Sequence, residues 1–156
     1  MKIYFDTKVL LDILMESRQN HVDSATILQV AAKGKVEIVI SAQSIIDASY
    51  VFSQKEKLPQ EGFNDAIRYI VSVATIAAID DYCIKCALRS DSSDFEDAAQ
   101  VACASRAECD IVVSSDKKIK HFSSIPVYTP GEFCNLLFGI KEDVPRLVGP
   151  EAVFGD

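Results

Sequence analysis

The sequence predicts an α/β protein, a parallel sheet with helices on both faces. Three observations carry this. Short apolar or β-branched runs (Ile3-Tyr4-Phe5, Val36 to Ile40, Ile111 to Ser114) recur along the chain. Amphipathic helical stretches separate them, and strands alternating with helices imply parallel pairing buried on both sides. The 156 residues are 49% hydrophobic and 25% charged, the size and composition of one packed domain.

Ile3-Tyr4-Phe5 reads as a short buried strand. Asp6-Thr7 caps a helix whose Val9, Leu10, Ile13 and Leu14 share one side. A second helix is expected from Val22 to Ala32, stopped by Gly34. Val36 to Ile40 is a strand, followed by a helix from Ala42 to Gln54. Pro59 opens a helix from Gln60 to Val71. Ala74 to Ile79 is strand-like but ambiguous, and Asp80 to Leu88 reads as helix. Ser93-Asp94-Phe95-Glu96 has the form of a capping box, with Ser93 at the cap, and its helix runs to Arg106. Asp110 to Ser114 and Pro126-Val127-Tyr128 are strands, and Pro130 opens a last helix through Leu137. The segment from Gly139 holds three of the six glycines and two of the five prolines, so an irregular tail over 139–156 is expected beside a domain at 1–138. Val144, Leu147, Val148, Val153 and Phe154 give that tail apolar groups to dock on the domain or on another chain.

Sixteen basic and 23 acidic residues leave a net charge of −7. General duplex coating is excluded, since phosphate neutralisation needs surplus Lys and Arg. Nucleic acid remains open only through local positive charge or a bound cation. The apolar run at Ile70 to Ile79 is broken by Ser72 and Thr75, so no membrane span is expected, and the first residues do not read as a leader. Five cysteines at 83, 86, 103, 109 and 134 then point to reduced thiols in a cytoplasm. Cys83-x-x-Cys86 has no second pair to complete a zinc site and falls within a helix, so packed thiols are the expectation.

Sheets of this kind bind ligands beyond the carboxyl ends of their strands. Asp6 follows the first strand and Asp116 the Ile111 to Ser114 strand. Asp97 lies near the start of the capped helix, and Asp47 in the first half of the helix after the second strand. Taken singly, each reads as a turn, cap or solvated acid. If the strands bearing Asp6 and Asp116 are neighbours, the four converge. They then either keep protons or take up a cation, and an all-oxygen set suits Mg²⁺ or Mn²⁺. Such an ion serves phosphodiester cleavage by water. The two histidines, His21 and His121, sit in no recognisable triad motif.

Across positions 1–138 the chain resembles the PIN-domain nucleases, and among them the bacterial VapC-like toxins. The resemblance rests on Met1 to Asp12, Ile45-Ile46-Asp47, Asp94-Phe95-Glu96-Asp97-Ala98, Ser114-Ser115-Asp116 and Pro126 to Phe133, in that order. It implies a three-layer α/β/α sandwich on a five-stranded parallel sheet and Mg²⁺- or Mn²⁺-dependent RNA cleavage by an activated water. It also implies an antitoxin partner and a homodimer. Asp6, Asp97 and Asp116 match the family's aspartates, and Asp47 stands where Glu is usual. Ser114-Ser115-Asp116 replaces the usual Thr-x-Asp or Thr-x-Asn.

Lys8 is the larger departure, because the family's opening motif is Asp-Thr-Asn. An ammonium about 5 Å from a divalent ion would repel it by roughly 2 to 7 kcal/mol. It could point into the site, carry its charge outward or turn toward Asp12. An inward Lys8 favours a second reading, a PIN-like RNA- or protein-binding module without cleavage. Lys117, Lys118, Lys120 and His121 beside Asp116 form either a solvated loop or a contact for an RNA backbone, to which Arg89 and Arg106 could add. A phosphoacceptor receiver domain is set aside, since Asp6 stands without an acidic neighbour and Tyr128-Thr129-Pro130 supplies no lysine.

Overall fold

The computed structural model describes residues 1–139. The expected tail, with Val144, Leu147, Val148, Val153 and Phe154, lies outside the described residues apart from Gly139. In chain order the elements are β1 (Lys2–Phe5), α1 (Thr7–Leu14), α2 (His21–Ala32), β2 (Glu37–Ser41) and α3 (Ala42–Tyr50). A π-helical turn (Val51–Lys55), α4 (Gln60–Val73), β3 (Thr75–Ala77), α5 (Asp81–Arg89) and α6 (Phe95–Arg106) follow. The last elements are β4 (Ile111–Val113), a 3₁₀ turn (Lys117–His121), β5 (Val127–Tyr128) and α7 (Pro130–Phe138).

The five strands form one parallel sheet in the order β3-β2-β1-β4-β5. The chain runs outward from β1 on one side and then crosses to β4 on the other, so strand order reverses between β1 and β4. Alternation along each strand sets the layers. Ile3, Phe5, Ile38, Ile40, Ile111 and Val113 pack under the helices that precede β3, together with α7. Tyr4, Val39 and Val112 face the opposite way, onto Cys83 of α5 and Ala102 and Cys103 of α6. This is the expected three-layer α/β/α sandwich.

Local chemistry explains most boundaries. Asp6, Ser41, Asp80 and Thr129 each accept a backbone N–H from their own helix. Gly34 ends α2 with φ of +77°, a conformation that L side chains avoid. Ala74 to Ile79 resolves as the three-residue edge strand β3, paired with β2 from Val39 to Ser41. The helix expected from Ala42 to Gln54 is α-helical only to Tyr50 and widens into the π turn, where the Glu56 N–H returns to the Val51 carbonyl.

The expected capping box at Ser93 does not form. Asp94 is the cap, and its Oδ1 accepts the Asp97 N–H at 3.1 Å. The Ser92 hydroxyl accepts the Asp94 N–H at 3.0 Å, which sets the turn one residue later than expected. Glu96 is thereby released from capping.

Candidate active site

Three elements bring the acids together. β1 and β4 are hydrogen-bonded neighbours, with Phe5 opposite Val113, so their carboxyl ends carry Asp6 and the Ser114-Ser115-Asp116 segment side by side. α6 delivers Asp97 from its first turn. Asp6 is 5% exposed. Its Oδ1 accepts the Val9 N–H at 3.0 Å, and its Oδ2 accepts the Ser114 hydroxyl. The same Ser114 oxygen accepts the Asp116 N–H at 3.0 Å. One serine therefore ties two of the expected site acids together.

Burial pushes the Asp6 carboxyl up to about 6, against the pull of Ser114, the Val9 N–H and Lys8. Asp97 rises to about 7, through desolvation first and then the charges of Asp94, Asp116 and Asp6. Its Oδ2 is buried without a hydrogen-bond partner. Asp94 thus both caps α6 and raises Asp97. Asp47 is half-buried on α3, and its Oδ1 accepts from Gln43 Nε2 at 2.9 Å. Its charge is felt by Glu96, which burial, Asp47 and Asp94 raise and Lys8 lowers.

Glu96 is the acid that sequence reasoning missed, because the capping pattern assigned it to the helix end. The polar layer beneath the site was missed as well. The Tyr4 hydroxyl donates to Gln100 Oε1, and Gln100 Nε2 donates to Ser44 Oγ at 3.2 Å. Ser44 also meets Ser41 at 3.0 Å and Thr7 at 2.8 Å. Burial raises the Tyr4 phenol, so it stays a protonated donor. These bonds lock β1, β2, α1, α3 and α6 together where the acids converge.

Lys8 is exposed on the first turn of α1, with Nζ 3.9 Å from Asp116 Oδ2. It does not turn to Asp12, which is buried and bound by Arg18 Nε at 2.8 Å and by Ser24 Oγ at 3.3 Å. Of the three expected orientations, the one toward the acids is realised. Its side chain is 57% exposed, so water screens the ammonium. Lys117 and Lys118 are exposed on the 3₁₀ turn, whereas Lys120 Nζ pairs with Glu132 Oε1 at 3.6 Å. Arg106 is held by Asp80 Oδ2 at 3.0 Å.

Among the described residues, no three His, Cys, Asp or Glu side chains stand in ready coordinating position. The donor chemistry still fits a hard divalent cation. The groups are carboxylates, desolvation and then repulsion among them raise Asp97, and the unpartnered Asp97 oxygen leaves an acceptor unsatisfied. None of Cys83, Cys86, Cys103, Cys109 and Cys134 forms a disulfide, and Cys83, Cys103, Cys109 and Cys134 are buried. Among the described residues no helix is long and apolar enough to cross a membrane.

Comparison with known proteins gives concordant results. Residues 2–118 match the family model described as the PIN domain. Ribonuclease VapC1 of Aquifex aeolicus (strain VF5) is 27% identical over 138 residues, covering 85% of this chain and 93% of the relative. The structure of VapBC2 from Rickettsia felis, bound to a DNA fragment from its promoter, matches with TM-score 0.62 at 13% identity, covering 83% of this chain and 98% of that one. Mycobacterium tuberculosis VapC20, a sarcin-ricin-loop-cleaving toxin, matches with TM-score 0.61 at 13% identity, covering 80% and 98%. With that family match over three-quarters of its length, and with the sheet and strand-end acids described above, the chain belongs to the PIN-domain family.

Proposed function

We propose that this chain is a divalent-metal-dependent endoribonuclease, the toxin of a toxin–antitoxin pair. The observation that carries the reading is the Asp6–Asp97–Asp116 cluster at the point where strand order reverses, with one Asp97 oxygen buried and unpartnered. Likeness to a ribonuclease and to the structure of a toxin supports the same reading.

Asp6, Asp97 and Asp116 would hold Mg²⁺ or Mn²⁺, with Asp47 and Glu96 at the edge of the set. When bound, the ion supplies positive charge that acidifies water and stabilises the leaving oxygen of the phosphodiester. Ser114 and the Val9 N–H orient Asp6. Asp94 fixes the first turn of α6 and with it Asp97. Lys117 and Lys118 offer unpaired charge to the RNA backbone, while Lys120 must first leave Glu132. An antitoxin and a second copy of the chain are the proposed protein partners, and the cytoplasm the proposed location.

The test is cleavage of mixed single-stranded RNA with Mn²⁺, with Asp97→Asn as the control for contaminating nuclease. Metal-dependent cleavage by the wild type alone supports the reading, and cleavage undiminished in the variant refutes it. The second reading, a binding module without cleavage, draws on Lys8 standing 3.9 Å from Asp116. RNA binding without cleavage, with cleavage gained in Lys8→Asn, would favour it.

A further inference from the structure

A cavity of about 460 Å³ opens where α5 and α6 meet the residues around the 3₁₀ turn. The acid cluster does not use it. Arg89, Ser105, His121 and Ser124 line it, and their side chains have no hydrogen-bond or ion-pair partner among the described residues. Two rings, Tyr82 and Phe122, line the same space. The Arg106 guanidinium covers the Tyr82 ring at 4.7 Å, and Asp80 holds Arg106 in turn. Asp91, which is exposed, is the one carboxylate on the lining among the described residues.

The cavity adjoins the acid cluster through two elements. Ala98, on its lining, directly follows Asp97 on α6. His121 and Phe122 stand at the far end of the 3₁₀ turn that Asp116 caps. A 3₁₀ turn rises about 2 Å per residue, so those five residues span about 10 Å.

We propose that this cavity is a nucleotide subsite for the substrate strand, holding a nucleotide that flanks the one at the acid cluster. The proposal rests on the RNA-cleaving reading above. Arg89 and His121 face the phosphate, Ser105 and Ser124 face the sugar or base edge, and the base lies against Phe122 or Tyr82. A chain with net charge −7 needs unneutralised cationic groups where a strand is to be held, and Arg89 is such a group. The volume falls within the range of single-ligand pockets.

The test is the binding of a fluorescent single-stranded oligoribonucleotide to the full chain in EDTA, which prevents cleavage, read by anisotropy at several salt concentrations. Arg89→Gln is expected to weaken binding about tenfold. It should also reduce the salt slope by about 0.7, as for one lost single-strand phosphate contact. His121→Gln should weaken it in the same direction, and Lys35→Gln, at the opposite end of the sheet, should match the wild type. Binding by Arg89→Gln and His121→Gln equal to that of Lys35→Gln overturns the subsite while leaving the nuclease reading intact. A wild type that neither binds nor cuts RNA overturns both. Arg89→Gln losing affinity for a free mononucleotide but not for the oligonucleotide would make the cavity a site for free nucleotide and overturn the strand reading.

Discussion

Ser114 donates its hydroxyl to Asp6 Oδ2 across the boundary between β4 and β1, and the same oxygen receives the Asp116 N–H at 3.0 Å. Both bonds use only the hydroxyl, which Ser and Thr share, so the γ-methyl of Thr is not needed for this role. Ser114→Ala should lower cleavage about tenfold and cost about 1 to 2 kcal/mol of stability, since it leaves a buried carboxylate oxygen without its donor. Ser114→Thr should retain both. Urea denaturation beside a cleavage assay reads the two effects. An alanine variant with wild-type activity would show that Asp6 needs no such support.

Asp97 should trade stability for function. Its carboxyl is raised to about 7 by desolvation and three neighbouring acids. Asp97→Asn removes that repulsion and should stabilise the metal-free protein at pH 8 by up to about 1 kcal/mol, a figure reduced for solvent screening. Cleavage should be lost in the same variant. A destabilised Asp97→Asn would mean that the carboxylate is structural.

The pH dependence follows from the direction of the shifts. Asp6 is raised from 3.8 to about 6, so between those values the folded chain keeps a proton that the unfolded chain has released. Stability of the metal-free protein therefore falls as pH rises through this window, by up to about 3 kcal/mol from Asp6. Asp97 extends the fall to about pH 7. Thermal unfolding in EDTA should show Asp97→Asn gaining on the wild type as pH rises from 4 to 8. Saturating Mn²⁺ should flatten the wild-type decline, because a bound cation offsets the repulsion. A difference between the two proteins that is constant with pH would contradict the assignment of these shifts.

The order of strands and helices was legible because the continuous apolar runs of β1, β2 and β4 and the helix caps all point the same way. The convergence of Asp6, Asp97 and Asp116 was legible from their places at strand and helix ends. The cap of α6 was not, because Ser93 and Asp94 are both good caps, and only the Ser92 hydroxyl on the Asp94 N–H decides between them. That single-residue difference hid Glu96. Gln100 was invisible for another reason. Within a helix rich in alanine it reads as a surface residue, yet it is 3% exposed and bonded to Tyr4 and Ser44 from other elements. No local pattern encodes such a contact.

The orientation of Lys8 also lay beyond the sequence, and it sets the last prediction. Its ammonium lies 3.9 Å from Asp116 Oδ2 and lowers both Asp6 and Glu96, so it acts on the acids as a built-in counter-charge. An entering divalent ion must displace that charge or bear its repulsion. At 57% exposure the water-like end of the range applies, roughly 2 kcal/mol at 5 Å. Lys8→Asn should therefore tighten Mn²⁺ binding by about tenfold or more, as read by calorimetry. The same substitution should push Asp6 and Glu96 further up, since the charge that lowers them is gone. Lys8→Arg should keep the affinity low. Unchanged Mn²⁺ affinity in Lys8→Asn would mean that the long side chain swings clear when the ion arrives, and that the site binds metal despite the lysine.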